Sequence, residues 1–186
     1  LIMRLCDEIR KHTKVVLTGE GADEFFGGYQ RYETWPKTEQ RQRLSRLLPA
    51  RAWPDRWPFR GIRRLAARDA GVYAAVYSDP AQLESLFPDL VPGPGARGAA
   101  SARFDRLLER IFAVDQTAYL ESLLMRQDKV SMAASVEARV PFTHLPLARA
   151  VNRIPARLKA PGNETKPILK AIAERYLPRE LVRRRK

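Results

Sequence analysis

Cysteine is nearly absent from this sequence, since Cys6 is the only one in 186 residues. One thiol cannot close a disulfide within the chain, and it cannot supply the several Cys ligands of a structural zinc site. Long apolar runs are absent as well, because no stretch approaches the roughly 18 apolar residues that suggest a membrane-spanning helix. These absences argue against a disulfide-rich secreted fold and a bilayer span, and we expect a cytoplasmic protein.

The start of the chain lacks the basic, apolar and small-residue regions of a secretory signal. It begins at Leu1, inside an amphipathic pattern, which indicates a cut end. With 45% hydrophobic and 30% charged residues, the composition is that of a globular domain, and the length suits one domain or part of a larger one.

Acidic residues are in short supply, because 21 Asp and Glu stand against 34 Lys and Arg, for a formal net charge of +13 at pH 7. Such an excess invites a nucleic-acid interpretation. Residues 149–186 contain 12 of the basic residues and only 3 of the acidic ones, so the excess is concentrated at one end. No helix-turn-helix, RNA-recognition or zinc pattern accompanies it, which makes a nucleic-acid-binding module the weakest functional alternative.

The order of local patterns predicts an α/β fold. Apolar residues near helical spacing predict the tail of a helix over residues 1–12. The β-branched run Val15–Leu17, closed by glycines, predicts a buried parallel strand. The next segment begins as a helix, but Gly27 and Gly28 each cost about 1 kcal/mol inside a helix relative to alanine. We therefore expect that helix to be short, kinked or ended near Gly27.

The sequence predicts mostly helical structure, with loops, for residues 35–135. Residues 35–60 have no sustained period and predict irregular structure with short helices, and proline and glycine predict a loop near residues 88–100. Residues 101–135 carry the clearest helical pattern, with Met125 and Met132 expected to fill gaps in the core.

The last third contains an extended turn and a final helix. Residues 136–142 leave the helix, because Pro141 disfavours a helical conformation at the residue before it. Residues 166–176 are amphipathic, and Pro178 ends that helix. No internal repeat or low-complexity tract is present.

The sharpest local feature is the turn that follows the predicted strand. Ligands bind beyond the carboxyl ends of strands in open α/β sheets, and Gly19 and Gly21 let the backbone approach a phosphate at a helix start. A carboxylate beside phosphate requires a cation between them, which predicts Mg²⁺ at Asp23, while Glu20 is the candidate general base. The alternative is a plain helix start where Asp23 and Glu24 favour the helix dipole. Walker A and Rossmann motifs are both absent.

Three segments resemble one known family. Residues 18–29, Thr-Gly-Glu-Gly-Ala-Asp-Glu-Phe-Phe-Gly-Gly-Tyr, closely resemble the Ser-Gly-Glu-Gly-Ala-Asp-Glu-Leu-Phe-Gly-Gly-Tyr signature of glutamine-hydrolysing asparagine synthetases. Residues 124–142, which include Asp-Lys-x-Ser-Met-Ala-x-Ser-Val-Glu-Ala-Arg-Val-Pro-Phe, resemble the second hallmark of the family. Residues 166–178, with Lys-Pro-Ile-Leu-Lys and Tyr-Leu-Pro, resemble the third, in the same order and spacing.

The resemblance implies a fold and an activity. The fold is an adenine-nucleotide α-hydrolase-like (pyrophosphatase-loop) synthetase domain, present in part, of which residues 1–186 form the C-terminal portion. Residues 1–34 would hold the strand and the nucleotide-binding turn, 35–100 an irregular or helical covering segment, and 101–186 a mostly helical portion. The activity is that of a ligase that uses ATP and Mg²⁺ to adenylate the aspartate side chain, then transfers ammonia from glutamine to give asparagine, AMP and pyrophosphate.

By position, the resemblance also implies roles for residues. Thr18, Gly19 and Gly21 would contact ATP. At position 18, Thr keeps the hydroxyl of the Ser that is commoner in the family. Glu20 would assist adenylation and deprotonate ammonia, and Asp23 would face Mg²⁺ and pyrophosphate. Lys166 would neutralise negative charge on the leaving pyrophosphate or the tetrahedral intermediate. Without the family match, Lys166 would be interpreted as a solvated lysine at a helix start.

Three further residues match family positions near the site, with alternatives. Glu137 and Arg139 either contact substrate or form an internal ion pair that orients the turn. Asp128 is either a site residue or a buried structural acid.

The sequence also departs from the family pattern. It has no Ser-Gly-Gly-x-Asp-Ser pyrophosphate loop and no glutaminase domain with a terminal cysteine, and Thr143-His144 stands where most relatives have Leu-Asp. We therefore expect a fragment that is inactive alone and works with the missing N-terminal glutaminase domain, and a homodimer is compatible with it. The remaining alternative is a related amidotransferase or cyclising synthetase that uses another acid.

Overall fold

The computed structural model describes residues 2–45 and 95–184, which are mostly helical. Their helices are α1 (Ile2–Ile9), α2 (Ala22–Phe26), α3 (Arg31–Ser45), α4 (Gly95–Ala102), α5 (Leu107–Val114), α6 (Leu120–Ala133), α7 (Leu145–Asn152), α8 (Ala156–Lys159), α9 (Pro167–Ala173) and α10 (Arg179–Arg183). A π-helical turn, Asp115–Tyr119, joins α5 to α6, and a 3₁₀ turn, Pro141–Thr143, precedes α7. Two strands, β1 (Val15–Leu17) and β2 (Glu137–Arg139), pair in parallel. No helix in these two ranges is long and apolar enough to cross a membrane.

The strand β1 is parallel, as predicted, but the prediction that it is buried is wrong. Successive side chains of a strand point to opposite faces. Val16 packs against a core formed by Cys6 of α1 with Ala134 and Val136. Val15 and Leu17 point the other way and are 38% and 69% exposed, because no described element covers that face.

The short helix α2 ends where the sequence predicts. Gly27 has φ +73°, a left-handed conformation that glycine adopts without the Cβ penalty of other residues. Its amide donates to Asp23 O at 3.0 Å and closes the last turn. The apolar side of α2 is fixed by Phe25 and Phe26, which pack in a core with Leu120 and Val151.

A second core lies beside the first half of α3. Tyr32 and Trp35 pack there against α5, and the Trp35 indole donates to Ala160 O at 3.1 Å. Residues 35–45 belong to one continuous helix, α3, so the prediction of irregular structure with short helices is wrong for them. The pattern missed it because the described contacts of α3 with this core are confined to its first turns. Residues 46–60 lie outside the described ranges.

Three other expectations need correction. The loop predicted near residues 88–100 is helix from Gly95 onward, where four alanines, the best helix formers, stand among two glycines, and residues 88–94 are not described. Residues 103–106 interrupt the helix expected over 101–135. Met125 and Met132 are each 53% exposed, so they do not fill the core, because they lie on the outward side of α6. The helix α10 after Pro178 was not predicted.

The remaining terminal helices agree with the sequence in outline. The helix predicted over residues 1–12 is confirmed over Ile2–Ile9, and residues 10–12 form a turn. The helix predicted over residues 166–176 is confirmed as Pro167–Ala173. Residues 136–142 are extended or in a 3₁₀ turn, as the proline predicts.

His144 occupies the N-cap position of α7, where its exposed side chain makes no capping hydrogen bond. We expect His144→Asp to stabilise the protein by about 0.5–1 kcal/mol, because an aspartate oxygen at this position can accept from the Leu147 amide, the capping donor left by Pro146, which has no N–H. The urea midpoint of the variant measures the effect. His144→Ala is the control, and an equal gain in that variant would show that capping is not the cause.

Candidate functional site

The turn predicted to bind nucleotide lies at the carboxyl end of β1. The Thr18 amide donates to Arg139 O at 2.9 Å, which extends the ladder between the strands by one residue. Gly21 then starts α2 with φ +91°. A Cβ at Gly21 would lie 3.0 Å from Thr143 Cγ2 and 3.3 Å from Phe142 Cβ, so both the conformation and the close packing require glycine there.

The structure brings together two predicted site residues from distant motifs. Lys166 Nζ lies 2.7 Å from Asp23 Oδ1, and the two side chains are 23% and 24% exposed. The Lys166 amide also donates to Gly27 O at 3.2 Å, so its backbone and its side chain are both attached to α2. A fully solvated lysine side chain at a helix start would not make the contact with Asp23.

The backbone of Lys166 is strained. Its φ is +50°, in the left-handed region that residues other than glycine rarely adopt. Such strain costs on the order of 1–3 kcal/mol and persists where the surroundings enforce it, often at functional sites. Here the bonds to Gly27 and Asp23 enforce it, which supports a functional role for Lys166.

Gly28 is a site residue that the sequence analysis missed. The Asp23 side chain lies directly over its Cα, so that a Cβ at Gly28 would overlap Asp23 Oδ1 and approach Asp23 Cα to 2.9 Å. The φ of Gly28 is outside the left-handed region, so packing and not conformation requires glycine here. The glycine pair of the signature was interpreted only as the end of a helix.

Thr18 and Glu20 have polar groups without partners in the described ranges. Thr18 Oγ1 is buried and has no hydrogen-bond partner there, and the half-buried Glu20 carboxylate makes no hydrogen bond or ion pair with a described residue. A buried hydroxyl without a partner costs about 1–3 kcal/mol. Both groups therefore keep hydrogen-bonding capacity that the described protein residues do not use.

A magnesium-bound polyphosphate fits this arrangement. Asp23 supplies a hard oxygen ligand, and Mg²⁺ typically takes one or two carboxylates together with phosphate oxygens and water. No three His, Cys, Asp or Glu side chains converge in the described part of the chain, so phosphate and water would complete the coordination. The Lys166 ammonium beside Asp23 adds a positive charge for phosphate.

A substitution at Gly19 tests whether the backbone there lies close to bound nucleotide. A Cβ at Gly19 would meet no atom of the described residues within 4 Å. We therefore expect Gly19→Ala to leave stability unchanged, or to raise it by up to about 1 kcal/mol. The methyl group would lie in the space predicted for ATP, and we expect binding of ATP to weaken about tenfold, which corresponds to about 1.4 kcal/mol. Thermal unfolding and titration calorimetry measure the two effects, and a loss of stability with unchanged ATP affinity would contradict the prediction.

Glu24, next to Asp23, is not a solvent-exposed acid that merely favours the helix dipole. It is 1% exposed, and it accepts a hydrogen bond from the Tyr29 hydroxyl. Burial raises the pKa of the Glu24 carboxyl. Burial is the main cause that raises the pKa of the Tyr29 phenol, and the hydrogen bond to Glu24 raises this pKa further. The Tyr29 hydroxyl therefore stays protonated and remains a donor.

Glu137 and Arg139 form the internal ion pair that was one of their two alternatives. Arg139 Nε lies 2.9 Å from Glu137 Oε1, and both side chains are more than half exposed. They share the uncovered sheet face with Val15 and Leu17, their partners in the strand register. A contact of either residue with substrate stays a prediction.

Asp128 is exposed on α6, so the alternative of a buried structural acid is wrong. Within the described residues, its side chain makes no hydrogen bond or ion pair with the Thr18–Glu24 turn. Its role at the site stays a prediction.

Comparison with known proteins identifies relatives over the whole chain. The family described as asparagine synthase matches residues 1–186. A Mycobacterium bovis protein, provisionally named a glutamine-hydrolysing asparagine synthetase, is 34% identical over 197 residues, which cover 96% of this chain and 30% of that protein. Glutamine-hydrolysing asparagine synthetase 3 of Bacillus subtilis is 30% identical over 191 residues, which cover 100% of this chain and 28% of that protein. This chain therefore spans about 30% of the length of such relatives.

Proposed function

Because the chain belongs to the asparagine synthase family, we propose that it is part of a cytoplasmic ligase that makes asparagine from aspartate, ATP and ammonia. Residues 1–186 would form the C-terminal part of a pyrophosphatase-loop synthetase domain. The rest of the complete protein would supply the Ser-Gly-Gly-x-Asp-Ser loop and a glutaminase domain that releases ammonia from glutamine. A homodimer is compatible with this arrangement.

The observation that carries the proposal is the contact between Lys166 and Asp23, at 2.7 Å. A carboxylate suited to Mg²⁺ and a cation suited to phosphate lie side by side. The carboxylate is four residues after Gly19, which borders open space among the described residues. Bound Mg²⁺ would offset charge on the phosphates of ATP and polarise them. Thr18 Oγ1 and the backbone at Gly19 would bind the nucleotide beside it.

The residues of this chain would act in two steps. In the first, an oxygen of the aspartate side chain attacks the α-phosphorus of ATP, the bond to pyrophosphate breaks, and Lys166 stabilises the charge that leaves. In the second, ammonia attacks the acyl carbon of β-aspartyl-AMP and AMP departs. Glu20 would take the proton from the attacking nitrogen, as a general base whose carboxylate has no competing protein partner in the described ranges.

The test uses the complete protein that carries this chain, with ATP, Mg²⁺, aspartate and ammonium. We expect AMP, pyrophosphate and asparagine in equal amounts, and no AMP without aspartate. The isolated 186-residue chain is the control and is expected to release no AMP, because its sequence has no Ser-Gly-Gly-x-Asp-Ser loop. If the complete protein releases no AMP with any acid, the proposal is wrong.

A second candidate is a related amidotransferase or cyclising synthetase acting on another acid. The observation in its favour is that Thr143, a departure from the leucine of the family pattern, packs against Gly21 of the nucleotide turn. The same assay with a panel of carboxylic acids separates the two candidates. AMP release that needs an acid other than aspartate would favour the second.

A further inference from the structure

A buried polar network lies beside α2. It contains two carboxylates, Glu24 at 1% and Asp115 at 0% exposure. Buried carboxylates are costly unless hydrogen bonds satisfy them. The partners of these two carboxylates connect α2 to α3 and to the π-helical turn.

Glu24 is held at both its side chain and its backbone. The Tyr29 hydroxyl donates to Glu24 Oε1, and Gln116 Nε2 donates to Glu24 O at 3.2 Å. Glu24 directly follows Asp23 in α2, so these bonds hold the residue to which Asp23 is joined by a planar peptide. They therefore restrain the backbone beside Asp23.

Asp115 anchors the other end of the network. It accepts two hydrogen bonds from Arg31, at 2.6 and 3.0 Å, and one from the Tyr32 hydroxyl at 2.6 Å. The Arg31 guanidinium in turn lies 4.1 Å from the centroid of the Tyr29 ring. The Tyr29 ring is thus fixed by a cation that is itself fixed by a buried acid.

The helix α2 needs such external support. It has five residues and no side-chain hydrogen bond at its N-cap, and a helix this short is not stable by itself. Its orientation therefore depends on tertiary contacts. Misplacement of a functional group by about 1 Å can lower a rate about 100-fold, so the orientation of α2 matters for Asp23.

We propose that Tyr29 is a positioning residue, which holds α2 through its hydrogen bond to Glu24 and thereby places the Asp23 carboxylate beside Lys166 and the magnesium-bound nucleotide. The part of this inference that concerns nucleotide rests on the proposed function. The part that concerns α2 rests on contacts within the chain alone.

Two tyrosines provide a matched pair of variants in the complete protein. Tyr29→Phe and Tyr32→Phe each remove a hydroxyl that donates to a buried carboxylate and keep the ring. Only the first bond reaches α2. We expect similar falls in melting temperature, but a rise of about tenfold in the KM for Mg·ATP in Tyr29→Phe only, with Tyr32→Phe within about twofold of wild type. Equal changes of KM in the two variants would overturn the proposal.

Rescue separates the hydrogen bond from the charge of Glu24. Glu24→Gln keeps an oxygen that accepts from Tyr29, so we expect it to retain the wild-type KM within about threefold, whereas Glu24→Ala should reproduce the defect of Tyr29→Phe. Equal defects in the two Glu24 variants would show that the charge matters and would contradict a positioning role.

Hydrogen exchange gives a readout that does not require activity. In Tyr29→Phe we expect the amides of residues 25–28 to exchange at least about tenfold faster than in Tyr32→Phe. If wild type releases no AMP but this difference is found, the proposed function fails and the positioning of α2 stands. If wild type releases AMP and neither exchange nor KM distinguishes the two variants, the positioning role fails alone.

Discussion

Lys166→Ala is expected to lower AMP release by the complete protein by about 100-fold or more. The ammonium would stabilise negative charge that develops as pyrophosphate leaves, and loss of one such group from an enclosed site typically costs about 100- to 1,000-fold in rate. Its place beside Asp23 at 2.7 Å and its low exposure of 23% make it a charge held in position and not a mobile surface lysine. Steady-state release of AMP, with aspartate and ammonium saturating, measures the effect.

Lys170 provides the control for this prediction. It is 24% exposed and also pairs with a carboxylate, Glu164, at 3.3 Å, one helical turn beyond Lys166. Loss of the Lys170 charge should therefore lower stability about as much as loss of the Lys166 charge, but it should not change interactions with the nucleotide. We expect Lys170→Ala to keep the rate within a few-fold of wild type, and a comparable loss in both variants would remove the basis for a catalytic Lys166.

The strain at Lys166 adds a second measurement to the same experiment. Its φ of +50° suits glycine better than alanine, so Lys166→Gly should be more stable than Lys166→Ala, by about 1 kcal/mol. Both variants should be equally inactive, because both lack the ammonium. A glycine variant that is active, or less stable than the alanine variant, would contradict the interpretation that the strained backbone at position 166 is tolerated because the lysine ammonium is needed there.

Local chemistry explains which parts of the fold were predictable. The end of α2 at Gly27 and the extended segment before Pro141 follow from backbone preferences that act over a few residues. The exposure of Leu17, at 69%, does not, because it depends on what lies against the strand. The same limit applies to Met132, whose apolar character predicted burial although no described core receives it.

The site shows the same division. The resemblance pointed separately to Asp23 and Lys166, and the residue types suggested their chemistry. Their contact could not be derived from the chain itself, since it joins residues far apart in sequence through tertiary packing. Tyr29 and Gly28 were missed because their importance lies in what they touch, Glu24 and Asp23, and not in any chemistry of their own.

Gly28→Ala is expected to reduce both stability and activity, although it adds a single methyl group. That group would overlap Asp23 Oδ1 and lie 2.9 Å from Asp23 Cα. Insertion of a methyl group into a packed site typically costs about 1–3 kcal/mol. The Asp23 carboxylate would have to turn away from Lys166, so we expect AMP release to fall by at least about tenfold, with a weaker dependence on Mg²⁺ concentration. Urea unfolding and the AMP assay measure the two effects.

A double-mutant cycle identifies the cause of the Gly28→Ala defect. In an Asp23→Ala background the overlapping carboxylate is gone, so Gly28→Ala should destabilise by at least about 1 kcal/mol less than it does in wild type. Full additivity would mean that the methyl group acts elsewhere, for example on the backbone alone. Gly19→Ala, whose methyl group would lie more than 4 Å from every atom of the part of the chain that the structure describes, shows the effect of a glycine-to-alanine change without overlap. Together these variants show whether the second glycine of the signature is present to make room for the Asp23 carboxylate.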